Sequence, residues 1–199
     1  MRLVILGGSG AGKSTQADRI CKHFDIPRIS TGGVLRDAIA SKSDLGRYAQ
    51  PYVEKGELVP DELMIEFIRM RLCKSDVEAG WVLEGYPRTA FQAEELDFLL
   101  DDLGQKLNWA IYLQVPEAVL VNRSLGRSLP DDQPEIVQRR VELFYDRTVP
   151  ILEYYDRRRR LLTIDGDQQT EAVIQKIIYL LSRTECKANK KDEQIVHNS

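Results

Sequence analysis

Cysteines are few in this sequence and show no pairing pattern. Its 199 residues contain three, Cys21, Cys73 and Cys186, which lie far apart and form no CxxC spacing. Neither a zinc site nor a disulfide framework is expected from such an arrangement. Isolated thiols fit a reducing compartment, so we expect a cytoplasmic protein.

Long apolar runs and a large excess of one charge are also absent. No stretch approaches the roughly 20 apolar residues of a membrane-spanning helix, and the N-terminal residues do not resemble a signal peptide. The formal net charge of -3 predicts no general cationic surface for nucleic acid or an anionic membrane. We therefore expect a soluble protein that meets any anionic ligand with a local cluster of cations.

Short apolar runs alternate with longer segments of helical spacing. The runs, at residues 2–6, 26–30, 81–84, 109–115 and 161–164, predict buried strands. The alternation favours an α/β fold with a five-stranded parallel sheet and helices on both faces. We expect one domain over residues 1–182, with ligands at the carboxyl ends of the strands. Residues 183–199 are polar and patternless, which predicts a disordered tail.

A glycine-rich loop follows the first predicted strand directly. Gly7-Gly8-Ser9-Gly10-Ala11-Gly12-Lys13-Ser14 fits the pattern GxxxxGK[ST] and precedes a helical stretch, which is the context of a phosphate-binding loop. Backbone N–H groups and the helix N-terminus would face the phosphates. Lys13 would reach the β- and γ-phosphates, and Ser14 would hold Mg²⁺. The loop predicts triphosphate binding but does not by itself separate kinases from GTPases, ATPases or transport motors.

Arginines recur in four separate segments after this loop. Phosphoryl transfer between two polyanions requires dispersed, permanently charged donors, and arginine suits this role. The segments are Ser30-Thr31-Gly32-Gly33-Val34-Leu35-Arg36, Gly85-Tyr86-Pro87-Arg88, residues 123–127, and Arg139-Arg140. The second substrate is thus expected to be a phosphate ester too.

With GELVPDE at residues 56–62 and GYPRTxxQ at residues 85–92, these motifs resemble the adenylate kinase family over residues 1–181. The resemblance implies reversible conversion of ATP and AMP to two ADP, with Mg²⁺, without zinc and without a covalent intermediate. It also implies a monomer that acts on small molecules in adenine nucleotide homeostasis. Closure would involve an AMP-side insertion at about residues 30–59 and a short lid at about residues 126–133.

The same resemblance implies roles for individual residues. Catalytic roles fall to Lys13, Arg36, Arg88, Arg127 and Arg140. ATP would be held by Gly10, Ala11, Gly12, Lys13, Ser14, Thr15, Arg127 and Gln168. AMP would be held by Thr31, Arg36, Glu57, Leu58, Val59, Gly85, Tyr86, Pro87, Arg88, Gln92 and Arg140. Magnesium would be held by Ser14, and by Glu84 through water.

Two residues bear on which monophosphate is the acceptor. The side-chain amide of Gln92 can match the donor and acceptor of an adenine edge, although a lone glutamine on a helix is more often simply exposed. Kinases of UMP and CMP resemble one another in a different pattern and typically have alanine where Thr31 stands. A UMP/CMP kinase therefore remains an alternative to an AMP kinase, but a less favoured one.

Several positions depart from the family pattern. Leu129 stands where an arginine usually precedes the paired aspartates, so one phosphate contact is missing. Gly33 and Glu84 each stand where aspartate is usual, and Ser14 where glycine is frequent. These departures leave open a second alternative, a catalytically weak protein that binds adenine nucleotides as a sensor.

Two further charged clusters have a simple structural interpretation. Asp131 and Asp132 precede a helix that is predicted to begin near Pro134, where acidic side chains are favourable. The run at residues 157–160 consists of four arginines. It is expected to be a solvated helix end, where cations offset the helix dipole, and not a nucleic-acid patch.

Overall fold

A computed structural model describes residues 1–126 and 133–196, without the side chains of residues 34, 37 and 185–196. Its sheet has five strands, β1 (Arg2–Leu6), β2 (Arg28–Ser30), β3 (Trp81–Glu84), β4 (Trp109–Gln114) and β5 (Leu161–Asp165). All neighbours pair in parallel, in the order β2-β3-β1-β4-β5. The α/β class predicted from the alternating pattern is confirmed.

Helices connect the strands and cover both faces of the sheet. Within the described ranges they are α1 (Lys13–Phe24), α2 (Thr31–Ala40), α3 (Asp44–Glu54), α4 (Asp61–Leu72), α5 (Ala90–Asp102), α6 (Glu117–Leu125), α7 (Pro134–Leu143), α8 (Val149–Arg157) and α9 (Thr170–Val196). A 3₁₀ turn, Ser75–Val77, precedes β3, and a π-helical turn, Phe144–Thr148, joins α7 to α8. None of the described helices is both long enough and apolar enough to cross a bilayer.

The central strand β1 shows how the sheet is fixed between two apolar layers. Val4 and Leu6 point to one face, where they join a core with α4, α5 and α8, while Leu3 and Ile5 point to the other face with α1 and α9. All four side chains are at most 3% exposed. Full burial of such a side chain contributes about 1.5–3 kcal/mol, so β1 and the loop that follows it are firmly anchored.

The strand boundaries differ slightly from those expected. Residues 26 and 27 lie outside β2, because the N–H of Ile26 donates to the Cys21 carbonyl at the end of α1 and Pro27 has no N–H. The Pro27 carbonyl still accepts from the Val82 N–H, so pairing starts one group before the strand.

The C-terminal segment requires a correction. Its polar composition predicts disorder from about residue 183, whereas α9 continues to Val196. Residues 183–196 contain neither glycine nor proline and are rich in lysine and glutamate, so intrinsic helix propensity is sufficient to continue the helix. A polar composition therefore does not by itself prevent a helix from forming.

The arginine run lies where the sequence predicts a helix end. Arg157 ends α8 and pairs with Glu153, and the guanidinium of Arg158 lies 3.6 Å from the centre of the Tyr154 ring. Arg160 is 3.7 Å from Asp97. These cations therefore interact with their own helix and with α5.

Candidate active site

A cleft of about 430 Å³ opens at the carboxyl ends of β1, β2 and β3. Parallel strands place the loops that follow them at the same edge of the sheet, which is why residues distant in sequence meet here. The phosphate loop forms one wall of the cleft, and α2, residues 56–59 and the start of α5 contribute to the others.

The phosphate loop is tightly wound and seated on α6. Gly10 has a φ of 83°, and a Cβ at this position would lie 2.5 Å from the Leu120 carbonyl oxygen, so no side chain fits. The Lys13 ammonium donates to the carbonyl oxygens of Gly7 and Gly8, at 2.8 and 2.7 Å. The loop thus holds a cation beside the N-terminus of α1, where an anion is favoured.

A carboxylate lies beside the loop with one unsatisfied oxygen. Glu84, which is 7% exposed, accepts a hydrogen bond from the Ser14 hydroxyl through Oε1 at 2.6 Å. Within the described residues its Oε2 is buried without a hydrogen-bond partner, and Arg28 approaches it only to 3.6 Å. A buried acceptor of this kind requires a donor. A hydroxyl and a carboxylate are both oxygen donors that suit Mg²⁺ and its water shell, so the residues fit this ion.

Among the described residues four arginines line the cleft, and the sequence motifs assign three of them to the site. Arg36 comes from α2, Arg88 from the loop after β3, and Arg140 from α7. Burial lowers the pKa of Arg88, and the charges of Arg140 and Arg36 act in the same direction while Glu84 opposes them. Such concentrated positive charge is costly in the free protein and is suited to a polyanion.

Polar residues also line the cleft, beside an apolar wall. Thr31 donates to the Glu84 carbonyl at 3.1 Å, and Gln92, at the start of α5, is 2% exposed while still lining the cleft. The Ser30 hydroxyl accepts from the Gly33 N–H at 3.3 Å, which caps the start of α2. The wall beside them is apolar, formed by Leu35, Val53, Val59 and Met64.

Comparison with known proteins supports the same interpretation of this cleft. The family model for adenylate kinase matches residues 5–160. Adenylate kinase 2 of Nostoc sp. (strain PCC 7120 / SAG 25.82 / UTEX 2576) is 79% identical over 181 residues, covering 91% of this chain and 98% of that protein. The chain belongs to the adenylate kinase family. It is therefore a phosphotransferase of that family, and the resemblance seen in its motifs is confirmed.

Other members of the family are more distant. Adenylate kinase 2 of Synechocystis sp. (strain ATCC 27184 / PCC 6803 / Kazusa) is 55% identical over 178 residues, with 89% of this chain and 98% of that protein covered. Adenylate kinase 1 of the same Nostoc strain is 44% identical over 172 residues, with coverages of 86% and 94%.

Most of the residues that the adenylate kinase motifs single out line this one cleft. They are Gly10, Gly12, Lys13, Ser14, Thr15, Thr31, Arg36, Glu57, Leu58, Val59, Glu84, Gly85, Pro87, Arg88, Gln92 and Arg140. Ala11 and Tyr86 are buried behind it, and Tyr86 donates to the Gln92 carbonyl. Gln168 does not line the cleft; its amide donates to Asp165. Arg127, Leu129, Asp131 and Asp132, with most of the short lid, lie outside the described residues.

Some lining residues carry no signal in the motifs. Thr148 lies in the π-helical turn and donates to the Arg88 carbonyl at 3.0 Å, and Phe144 lines the cleft from the same turn. Arg123, which belongs to the third arginine segment of the sequence, also lines the cleft and donates to the Gly166 carbonyl and to Asp167. No spacing rule identifies Thr148, because its position depends on how one helix is wound.

Gly85 provides a test of how closely the site is packed. Its φ is 84°, and a Cβ there would lie 2.3 Å from the Thr31 hydroxyl oxygen. We expect Gly85→Ala to lower the free energy of unfolding by about 2–4 kcal/mol, because left-handed strain and overpacking add together. Gly104 is the matched control, with a φ of 65° and open space around its Cβ.

For Gly104→Ala we expect the strain alone, about 1–2 kcal/mol. Both values can be measured by urea denaturation. Equal losses for the two variants would show that the contact with Thr31 is not significant.

Proposed function

We propose that this chain transfers the γ-phosphoryl group of ATP reversibly to AMP, giving two molecules of ADP. The observation that carries the proposal is the set of groups that line one cleft. Among the described residues these include a phosphate loop, the buried Gln92, and Arg36, Arg88 and Arg140. This combination fits a triphosphate donor and a nucleoside monophosphate acceptor whose phosphates meet at the arginines.

The donor nucleotide is proposed to bind at the phosphate loop. Gly10 to Thr15 would surround the β- and γ-phosphates with N–H groups, and Lys13 would exchange its carbonyl partners for phosphate oxygens. Arg127 and Gln168, implied by the family resemblance, would complete the ATP side. Magnesium, when bound, neutralises phosphate charge; Ser14 would contact the ion, and Glu84 would accept from its water shell.

The acceptor is proposed to bind between α2 and α5. Arg36, Arg88 and Arg140 would hold its phosphate, and the apolar wall with Thr31 would hold the nucleoside. The backbone of Glu57 to Val59 and the turn from Gly85 to Arg88 would border it. Gln92 would read the edge of the base. The same arginines would then stabilise charge on the transferred group as it moves, without a covalent intermediate.

Water must be excluded while the phosphoryl group transfers. We propose that the insertion at about residues 30–59 and the lid at about residues 126–133 close over the two nucleotides. Arg36 and Arg140, which lie on different helices, would approach each other only when a polyanion lies between them. Such gating is typical of kinases of small metabolites.

The protein is further proposed to be a cytoplasmic monomer that balances adenine nucleotides. Its isolated thiols and modest net charge support this setting, and nothing in the proposed reaction requires nucleic acid or a membrane.

The test is a coupled assay of ADP formation with Mg²⁺–ATP and each of AMP, CMP, UMP and GMP. We expect turnover with AMP, and kcat/KM at least about 10²-fold lower for the other acceptors, because a site with fixed hydrogen-bonding groups leaves them unpaired by a wrong base. Preferred turnover with CMP or UMP would overturn the AMP assignment. Tight ATP binding without turnover on any acceptor would indicate a nucleotide sensor.

A further inference from the structure

The side-chain amide of Gln92 is held from two sides by groups of opposite character. Its Oε1 accepts from the backbone N–H of Arg88 at 2.7 Å, and its Nε2 donates to Oδ1 of Asp61 at 2.6 Å. The backbone of Gln92 is fixed too, since its N–H donates to the Thr89 hydroxyl at the start of α5. Both its main chain and its side chain are thus constrained.

The two partners permit only one orientation of the amide. A carboxylate accepts hydrogen bonds and a backbone N–H donates them, so exchanging the O and N of Gln92 would place like groups against each other at both contacts. Because the side chain is 2% exposed, water cannot compensate for such mismatches. The orientation of this amide is therefore fixed before any ligand arrives.

The fixed amide retains one N–H and one acceptor lone pair beyond these contacts. In adenine, ring position 1 accepts and the amino group at position 6 donates. Hypoxanthine and guanine have the reverse, an N–H at position 1 and a carbonyl at position 6. An amide that can rotate by 180° could pair with either edge, whereas a fixed one matches a single pattern.

We propose that Asp61 is a positioning residue for base selection, which sets the orientation of the Gln92 amide and so makes the acceptor site reject 6-oxopurines. The proposal rests on the proposed function, in which Gln92 faces the acceptor base. Asp61 lies at the start of α4 and is contributed by a different element from Gln92, so the selectivity depends on the packing of α4 against α5.

The decisive probe is IMP, which differs from AMP only at positions 1 and 6 of the base. Asp61→Asn keeps the shape of the side chain but can present either oxygen or nitrogen to Gln92, which leaves the Arg88 N–H as the remaining constraint. We expect the ratio of kcat/KM for AMP to that for IMP to fall by about tenfold or more, with the KM for ATP unchanged.

A purely structural role for Asp61 at the start of α4 would lower both kcat/KM values together and leave their ratio as in the wild type. Glu62→Gln is the matched control, because Glu62 is exposed and carries the same charge in the same helical turn. We expect it to retain the wild-type ratio. Should Asp61→Asn fail to fold, Asp61→Ser carries the same expectation, since serine is favourable at a helix start but too short to reach Gln92.

Gln92→Ala separates the role of Gln92 from that of Asp61. If this variant keeps the AMP to IMP ratio, Gln92 does not read the base and the proposed acceptor site is overturned. If it loses the ratio while Asp61→Asn keeps it, the role of Asp61 alone is overturned. The double variant is expected to show the same ratio as Gln92→Ala, because Asp61 acts through that amide.

Discussion

Replacing Lys13 with methionine is expected to lower kcat for ADP formation by about 10²- to 10³-fold, the usual loss when one preorganised donor at a reacting centre is removed. Methionine keeps most of the aliphatic stem and removes the charge. The ammonium group lies within 2.8 Å of the carbonyl oxygens of Gly7 and Gly8, so it is already beside the place where phosphates would bind. Steady-state kinetics with saturating Mg²⁺–ATP and AMP measure the effect.

Lys22→Met is the matched control for this experiment. Lys22 lies on the same helix, α1, in its last turn and is exposed. It carries the same charge far from the cleft, so its removal should change kcat by less than about twofold. A loss of similar size in both variants would mean that the net charge of α1 matters and the position of Lys13 does not.

Arg88→Met is expected to lower kcat/KM for AMP by about 10³-fold, because this guanidinium would contact phosphate in both the ground state and the transition state. The contrasting expectation concerns stability. Burial and the neighbouring arginines lower the pKa of Arg88, so its charged form is disfavoured in the folded protein. At neutral pH the group is charged in both the folded and unfolded chain, and the cost to stability is fully present there. That cost would be relieved only as the pH rose through the lowered pKa.

Removal of this charge favours the folded Arg88→Met variant, while loss of the hydrogen bond from Arg88 Nε to the Gly85 carbonyl, at 2.8 Å, opposes it. The thermal midpoint of the variant without ligand should therefore stay close to that of the wild type. Addition of AMP should stabilise the wild type and have little effect on the variant. Arg157→Met serves as the control, since Arg157 is 75% exposed and pairs only with Glu153 on its own helix among its described ion pairs. A large drop in the midpoint for Arg88→Met alone would show that Arg88 is a structural residue.

The sequence predicts the sheet well because its signals are local. The inner strands β1, β3 and β4 are short and mostly buried runs, and a strand that is buried on both faces has few polar positions to obscure it. The edge strands β2 and β5 are less buried, but they are short runs too. The phosphate loop and the arginine segments can also be recognised in the sequence, because each is a short motif whose residue types suit phosphate binding. The membership of Lys13, Arg36, Arg88 and Arg140 in one cleft then follows from parallel strands that share an edge.

What the sequence does not predict depends on packing between distant elements. Gln92 can be assigned to a base edge from its motif, yet its bond to Asp61 is set by how α4 lies against α5. Tyr86 belongs to a site motif, but its ring lies in the core. This burial raises its pKa, and the charges of Asp61 and Glu95 act in the same direction. A motif identifies a segment, whereas the direction of each side chain depends on the backbone of that segment.

The π-helical turn at Phe144–Thr148 has a consequence for protein engineering. Its hydrogen bonds close over five residues where an α-helix uses four, so it accommodates extra chain without breaking the helix. Deleting one residue there would give a more regular helix but remove the wide turn and displace the side chains that it presents. Thr148 would then lose the Arg88 carbonyl. Chimaeras between relatives should therefore be joined outside this turn, with α7 and α8 inherited from the same parent.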